Sequence, residues 1–214
     1  MEILYQDESI IVCIKPPTLV SEQTAEKNGF ADLLAAQFGG YIGVVHRLDR
    51  GVGGVMVYAK APQAAASLSR QVQERVLEKE YLAIVHGIPE SEAGELRDLL
   101  FHDKRLNKSF AVNRTRAGVK EAILHYVVQK SIETDAYGTL SLLRVKLETG
   151  RTHQIRVQFA SRRHPLLGDG KYGASDHCPI ALFSTRIAFL HPKSGKPLAF
   201  EHTPSGEAWA HFDL

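Results

Sequence analysis

The chain has 214 residues, 44% hydrophobic and 23% charged, which is enough to bury a core without metal or disulfide support and excludes an intrinsically disordered chain. Its net charge of +2 excludes nucleic-acid binding driven by overall charge and leaves only local basic patches for that purpose. Cys13 and Cys178 lie far apart with no CxxC spacing, the N-terminal residues show no basic segment followed by an apolar run, and nowhere do eighteen apolar residues follow one another, so a disulfide framework, a zinc site and a membrane span are all disfavoured; one cytoplasmic domain over residues 1–214 is expected.

In chain order, Ile3 to Tyr5 and Ser9 to Ile14 read as a short hairpin that ends at Pro16-Pro17. Apolar residues at helical spacing predict a helix over Phe30 to Phe38, stopped by Gly39-Gly40. The turn from Arg47 to Gly53 should lead into a Val-rich strand over Gly54 to Ala59, followed by a helix from Pro62 to Arg75. Strands are then predicted at Lys79 to His86, Ala122 to Gln129 and Thr139 to Glu148. Thr152 is the expected N-cap of a helix through Arg163. Ile180 to Leu190 and Pro197 to Glu201 read as the last strands, and Thr203-Pro204 as the opening of a C-terminal helix carrying Trp209. Strands outnumber helices without strict alternation, which predicts α+β with a mostly antiparallel mixed sheet rather than a doubly wound fold.

Two motifs carry chemistry, His46-Arg47-Leu48-Asp49 and Thr149-Gly150-Arg151-Thr152-His153-Gln154-Ile155-Arg156-Val157. Leu48 inside the first, with no Asp-Phe-Gly after it, excludes a protein kinase loop. Gly51, Gly53 and Gly54 precede a strand, whereas a phosphate-cradling loop opens a helix; their expected job is to present Asp49. None of the ten histidines shows a ligand spacing, so no metal is expected, and His153 and His164 are expected to make structural hydrogen bonds.

Ser9 to Lys15 with Pro16, His46 to Asp49, Glu78-Lys79-Glu80-Tyr81, Lys120-Glu121-Ala122, Gly150 to Val157, and His164-Pro165-Leu166-Leu167-Gly168-Asp169 with Tyr172-Gly173 together resemble pseudouridine synthases of the RluA type. The resemblance implies a pseudouridine synthase fold, with a central mostly antiparallel mixed sheet, flanking helices and an RNA-binding cleft. It implies Asp49 as the catalytic aspartate, Tyr81 as the tyrosine packed on the target base and Arg156 as the arginine paired with the aspartate. It places Arg47 beside the extruded nucleotide and Leu182 in the apolar lining of the base pocket; Arg151, in the second motif, is a further substrate-binding candidate. The partner implied is RNA, a tRNA or rRNA stem-loop, met by a monomer with no membrane involved, and the S4 domain that precedes many relatives is expected to be absent.

The chemistry of uridine isomerisation fits those residue types. The N1–C1′ bond breaks and C5 joins C1′ with no redox change, so no cofactor is needed. The base must leave its stack at a cost of a few kcal/mol, part of which stacking on Tyr81 would return. Asp49 has to be a carboxylate whether it attacks C1′, adds at C6 or removes the C2′ proton, and a guanidinium at Arg156 favours that charged form. Water has to be kept out so that the sugar is not hydrolysed. The basic stretch Phe101 to Lys120 is the first candidate for RNA contact.

Three departures from the pattern stand out. Val52-Gly53-Gly54 replaces Thr-Ser-Gly, KPxGL appears as Lys15-Pro16-Pro17-Thr18-Leu19, and Gln158 stands where a histidine often ends HQIRVH. Val52 and Gly53 motivate a second reading, an RNA-binding protein of the same fold without catalysis. A third is a nucleoside or glycoside hydrolase, since a carboxylate at an anomeric carbon is glycosidase chemistry and Glu148 lies close to Arg151 in the chain.

Overall fold

A computed structural model describes residues 1–214. The chain divides into two compact units, one formed by Met1–Glu80 with Phe183–Pro204, the other by Tyr81–Leu182 with Ser205–Leu214.

In the first unit, β1 (Glu2–Gln6) and β2 (Ile10–Lys15) form the predicted antiparallel hairpin. Asp7 closes its turn by accepting the Ser9 and Ile10 N–H groups at 2.7 and 2.9 Å. Helix α1 (Phe30–Phe38) ends as the Gly pair predicts, with Gly39 at φ 70°. A two-residue strand, β3 (Gly43–Val44), is too short to leave a sequence pattern. Strand β4 (Gly53–Ala59) is buried throughout and pairs antiparallel with β2. Helix α2 (Pro62–Gln73) starts on Pro62 but stops before Arg75, which takes a left-handed φ of 60°.

The remaining strands of this unit come from the end of the chain. A strand over Leu182–Leu190, here β10, runs parallel to β4 at Phe183 and Ser184, and β11 (Pro197–Glu201) returns antiparallel to it. Ile10, Val12, Val55, Val57, Leu68, Ile187 and Phe189 close the core between these elements, each contributing about 1.5–3 kcal/mol by leaving water.

The second unit takes up β5 (Glu78–His86) from Tyr81 onward, and its strands lie in the order β5, β9 (Gly138–Leu147), β8 (Val119–Thr134), β6 (Ala93–Asp103) and β7 (Lys108–Val112). Strands β8 (Val119–Thr134) and β9 (Gly138–Leu147) occur where predicted, β8 being longer at both ends. Strands β6 (Ala93–Asp103) and β7 (Lys108–Val112) form a hairpin that the sequence did not reveal. The stretch taken as an RNA-contact segment is therefore partly regular structure. Leu82, Ile84, Leu140, Leu142, Leu167, Ala181 and Phe212 form the core of this unit.

Two helix starts differ from expectation. Helix α3 runs Gln154–Ala160, preceded by His153 in the left-handed region at φ 55°, so Thr152 is not its N-cap. No side chain caps the helix; the side-chain oxygen of Gln154 instead ties down the turn that leads into it, accepting the Arg151 N–H at 3.0 Å and the Thr149 hydroxyl at 2.8 Å. Helix α4 is one turn, Glu207–Ala210, opened by Gly206 at φ 115° rather than by Thr203. No helix is long and apolar enough to cross a membrane.

Candidate active site

The first unit carries Asp49 and Arg47. Asp49 is partly exposed and sits in the turn that feeds β4, with its carbonyl accepting the Val52 N–H at 3.0 Å. Its chain neighbours are fixed one by one. Ser21 Oγ accepts the Leu48 N–H and donates to the Leu48 carbonyl, both at 3.0 Å, and the Arg50 carbonyl accepts the Thr18 N–H at 2.8 Å. His46 is buried; its Nε2 accepts the Val57 N–H at 3.1 Å, which places the ring proton on Nδ1, where it finds no partner. Burial, with Lys79 nearby, pushes His46 down to about 3, so it is neutral in the folded protein. The Arg47 side chain is 65% exposed and meets Glu22 at 2.8 Å.

Gly54 shows why this turn is rich in glycine. It takes φ 131°, and a Cβ there would lie 2.3 Å from the Ser184 carbonyl oxygen of β10. Close strand packing, not phosphate binding, therefore requires it. A Cβ at Gly53 would come within 3.2 Å of the Lys15 carbonyl, and Val52 is only 2% exposed. The positions where hydroxyls were expected are thus one buried apolar side chain and one crowded backbone.

Lys15, quoted above only as part of a pattern, is fully buried beside this turn. Its ammonium donates to the Pro16 carbonyl at 2.8 Å and the Leu19 carbonyl at 2.7 Å. Burial pushes it down to about 8, opposed by the carboxylates of Asp49 and Glu22. A lysine closing an apolar Ile-Ile-Val-Cys-Ile strand, where exposure is not available, was the signal that could have singled it out.

The second unit carries Tyr81, Arg151, Arg156 and Leu182. Tyr81 and Leu182 are the residues at which the chain enters and leaves this unit, and they are 5% and 6% exposed. Arg151 donates from Nε to the Glu121 carbonyl at 2.8 Å. Arg156, in the first turn of α3, presents a two-pronged fork to Asp169, Nε to Oδ2 at 2.7 Å and Nη2 to Oδ1 at 2.8 Å. Its guanidinium also lies over the Tyr172 ring, 5.1 Å from the centroid. Asp169 and Tyr172 belong to strings noted in the sequence, but no role was read for them there. An aspartate embedded in Pro-Leu-Leu-Gly, destined for burial and so in need of a cation, was the available clue.

The expected structural histidines are so placed: His153 Nδ1 shares a 2.9 Å hydrogen bond with the Tyr172 hydroxyl, and His164 Nδ1 one of 2.9 Å with the His86 carbonyl. Gln158 is fully buried, and its amide donates to Asp98 at 2.7 Å and to the Leu96 carbonyl at 3.1 Å, joining α3 to β6. The structure also gathers Glu95, His125 and Glu148 within 4.8 Å, a grouping invisible in the spacing. Its members are bonded to protein groups: His125 to Glu148 at 2.6 Å, and Glu95 to Arg97 at 3.0 Å.

Beyond the motifs, residues 9–161 match the family described as RNA pseudouridylate synthase. An uncharacterized RNA pseudouridine synthase of Aquifex aeolicus (strain VF5) is 36% identical over 222 residues, covering 94% of this chain and 68% of the relative. Ribosomal large subunit pseudouridine synthase D of Neisseria meningitidis serogroup B (strain ATCC BAA-335 / MC58) is 34% identical over 223 residues, covering 94% of this chain and 57% of that protein. This chain thus spans about three-fifths to two-thirds of the length of these two relatives. The structure of human RNA pseudouridylate synthase domain containing 1 superposes with a TM-score of 0.80 at 23% identity, over 95% of this chain and 83% of that one, a likeness of fold.

Proposed function

The chain belongs to the RNA pseudouridylate synthase family, and from that premise we propose that it isomerises uridine in RNA to pseudouridine with Asp49 as the essential carboxylate. The observation that carries this reading is the family match over residues 9–161, which spans Asp49, Tyr81 and Arg156 together. The turn around Asp49 adds support: Ser21, His46 and Thr18 fix the backbone on either side of a carboxylate that is itself partly exposed. Holding a reacting group still before substrate arrives lowers the barrier by paid-in-advance orientation.

In this reading Asp49 acts on the flipped uridine while the N1–C1′ bond breaks and the C5–C1′ bond forms. N1 gains a proton and the hydrogen on C5 leaves to solvent, so the product is an isomer. Arg156 is the counter-charge to the Asp49 carboxylate, Tyr81 stacks on the base, and Leu182 keeps the pocket apolar and free of competing water. Arg47 and Arg151 bind the nucleotide and its flanking phosphates. The substrate is a stem-loop of tRNA or rRNA, and the name of the Neisseria relative, which refers to the large ribosomal subunit, favours rRNA.

Carbodiimide adducts that halt reverse transcriptase map pseudouridine in RNA from cells with and without this protein. A site lost on deletion should return with wild type and not with Asp49→Asn, a change that keeps the side-chain shape and removes the charge. An active, stable Asn variant would sink the mechanism. RNA binding without any lost site would favour the non-catalytic RNA-binding protein, and release of free uracil the hydrolase.

A further inference from the structure

We propose that Asp169 and Tyr172 are positioning residues for Arg156, forming a two-sided mount for its guanidinium; this rests on the reading of Arg156 as the counter-charge to the reacting carboxylate. An arginine side chain has several rotatable bonds, and a helix fixes only its root. What fixes its far end is the set of groups around the guanidinium plane. Here the edge of that plane is gripped by both oxygens of Asp169, at 2.7 and 2.8 Å. The central guanidinium carbon lies over the Tyr172 ring, 5.1 Å from the centroid.

The mount is itself held. Asp169 and Tyr172 belong to one short 3₁₀ turn over Gly170–Tyr172, in which the Tyr172 N–H donates to the Asp169 carbonyl at 3.0 Å. The Tyr172 hydroxyl accepts the Ser109 N–H at 2.8 Å and bonds His153 Nδ1 at 2.9 Å. Ser109 Oγ in turn donates to the Thr152 carbonyl at 2.6 Å, just before α3. The left-handed turn at His153, φ 55°, brings its ring to Tyr172. The backbone at both ends of the arrangement is thus tied to the same phenol.

Stability alone is a poor reason to keep such an ion pair. The Arg156 and Asp169 side chains are 12% and 1% exposed, and a buried pair contributes little net stability compared with apolar residues of the same volume. What a two-pronged fork provides beyond charge is a fixed plane and direction. An error of about 1 Å in a group facing the reacting atoms can lower a rate by roughly 100-fold. The geometry therefore assigns the aspartate and tyrosine of this turn to aiming Arg156.

The test uses the full chain and tRNA and rRNA transcripts tritiated at uracil C5, which release tritium when C5 joins C1′. Asp169→Asn should lower kcat by roughly 10- to 100-fold, with KM within about threefold of wild type. Because Asp169 acts through Arg156, adding Asp169→Asn to Arg156→Lys should lower kcat by no more than about threefold further. Tyr172→Leu, which leaves the ion pair in place, should lower kcat by roughly 10-fold, whereas Tyr172→Phe, which keeps the ring but loses the hydroxyl's bonds to Ser109 and His153, should recover part of that loss. Independently of activity, the Arg156 Nε–H resonance, identified by its disappearance in Arg156→Lys, should be protected from solvent exchange in wild type and exchange rapidly in Asp169→Asn. An active wild type with unchanged kcat in Asp169→Asn and Tyr172→Leu overturns the positioning role alone, as do fully multiplicative effects in the double variant. A folded wild type that releases no tritium overturns the catalytic reading and this role with it.

Discussion

His46 contributes a share of acid sensitivity that can be assigned to one ring. It is neutral and buried, with its Nε2 accepting the Val57 N–H, and its folded value lies near 3 against 6.5 in the unfolded chain. Between those values the unfolded state holds the extra proton, so stability is fully present above about pH 6.5 and falls as pH drops, by about 1.4 kcal/mol per pH unit for one group. Urea unfolding at pH 7 and pH 5 should therefore show a loss of about 2 kcal/mol from this residue alone. His46→Gln, which keeps an acceptor for Val57 and cannot be protonated, should be less stable at pH 7 but show a shallower pH slope. Equal slopes in the two proteins would remove His46 as the source. Lys15 has a profile of the same sign at higher pH. Its ammonium is pushed down from 10.5 to about 8 by burial, so the unfolded chain binds the extra proton between those values and stability rises with pH across that window.

At the scale of elements, β4 is the strand on which the Asp49 turn depends, and Gly54 is where it meets β10. Gly54→Ala should cost about 3 kcal/mol or more, combining a φ of 131° that alanine resists with a Cβ driven into the Ser184 backbone. Denaturant unfolding followed by circular dichroism measures this, and a loss below about 0.5 kcal/mol would mean that the strands tolerate a side chain there. Elements with an unbroken pattern could be read from the chain alone: β2 with its run of five apolar residues, the Gly-stopped α1, and β4. The β6–β7 hairpin could not, because Asp98 falls between the buried Leu96 and Leu100 in the alternation of β6. That aspartate is satisfied by Gln158 of α3 and by Arg162 in the turn just after it, far along the chain, and a polar residue with a remote partner looks, in sequence, like an exposed one. The start of α3 was missed for a related reason. Thr152 has the chemistry of a cap, but its carbonyl is engaged by Ser109 and His153 turns left-handed beside Tyr172. Among the site candidates, the motif residues were legible as types in a spacing, while Lys15, Asp169 and Tyr172 acquire meaning only through what lies next to them in space.

For the molecule as a whole, the small net charge hides a strong local one. Residues 104–120 contain Lys104, Arg105, Lys108, Arg114, Arg116 and Lys120 and not one carboxylate. They occupy the tip of the β6–β7 hairpin, β7, the segment leading into β8 and the start of β8, and all but Lys108 are exposed. Aromatic rings are interleaved with them: Arg116 lies 4.5 Å from the Phe101 ring centroid, and Lys108 lies 5.1 Å from that of Tyr172 and 5.8 Å from that of Phe110. A cation-rich hairpin with aromatic faces matches the two needs of an RNA contact, phosphate charge and base stacking. The balancing acids elsewhere on the chain explain why the total charge says nothing about it. If this stretch carries phosphate contacts, each lost cation removes close to one released counterion. Lys104→Ala with Arg105→Ala should then reduce the slope of log K against log salt by about 1.5 to 2, weakening binding to matched and unmatched RNA alike. Lys193→Ala is the control, since that exposed lysine already meets Glu8 at 3.2 Å and should leave the slope unchanged. Fluorescence anisotropy with a labelled stem-loop across a range of salt concentrations distinguishes the two. An unchanged slope in the double variant would move the electrostatic footprint off the hairpin and onto other basic side chains.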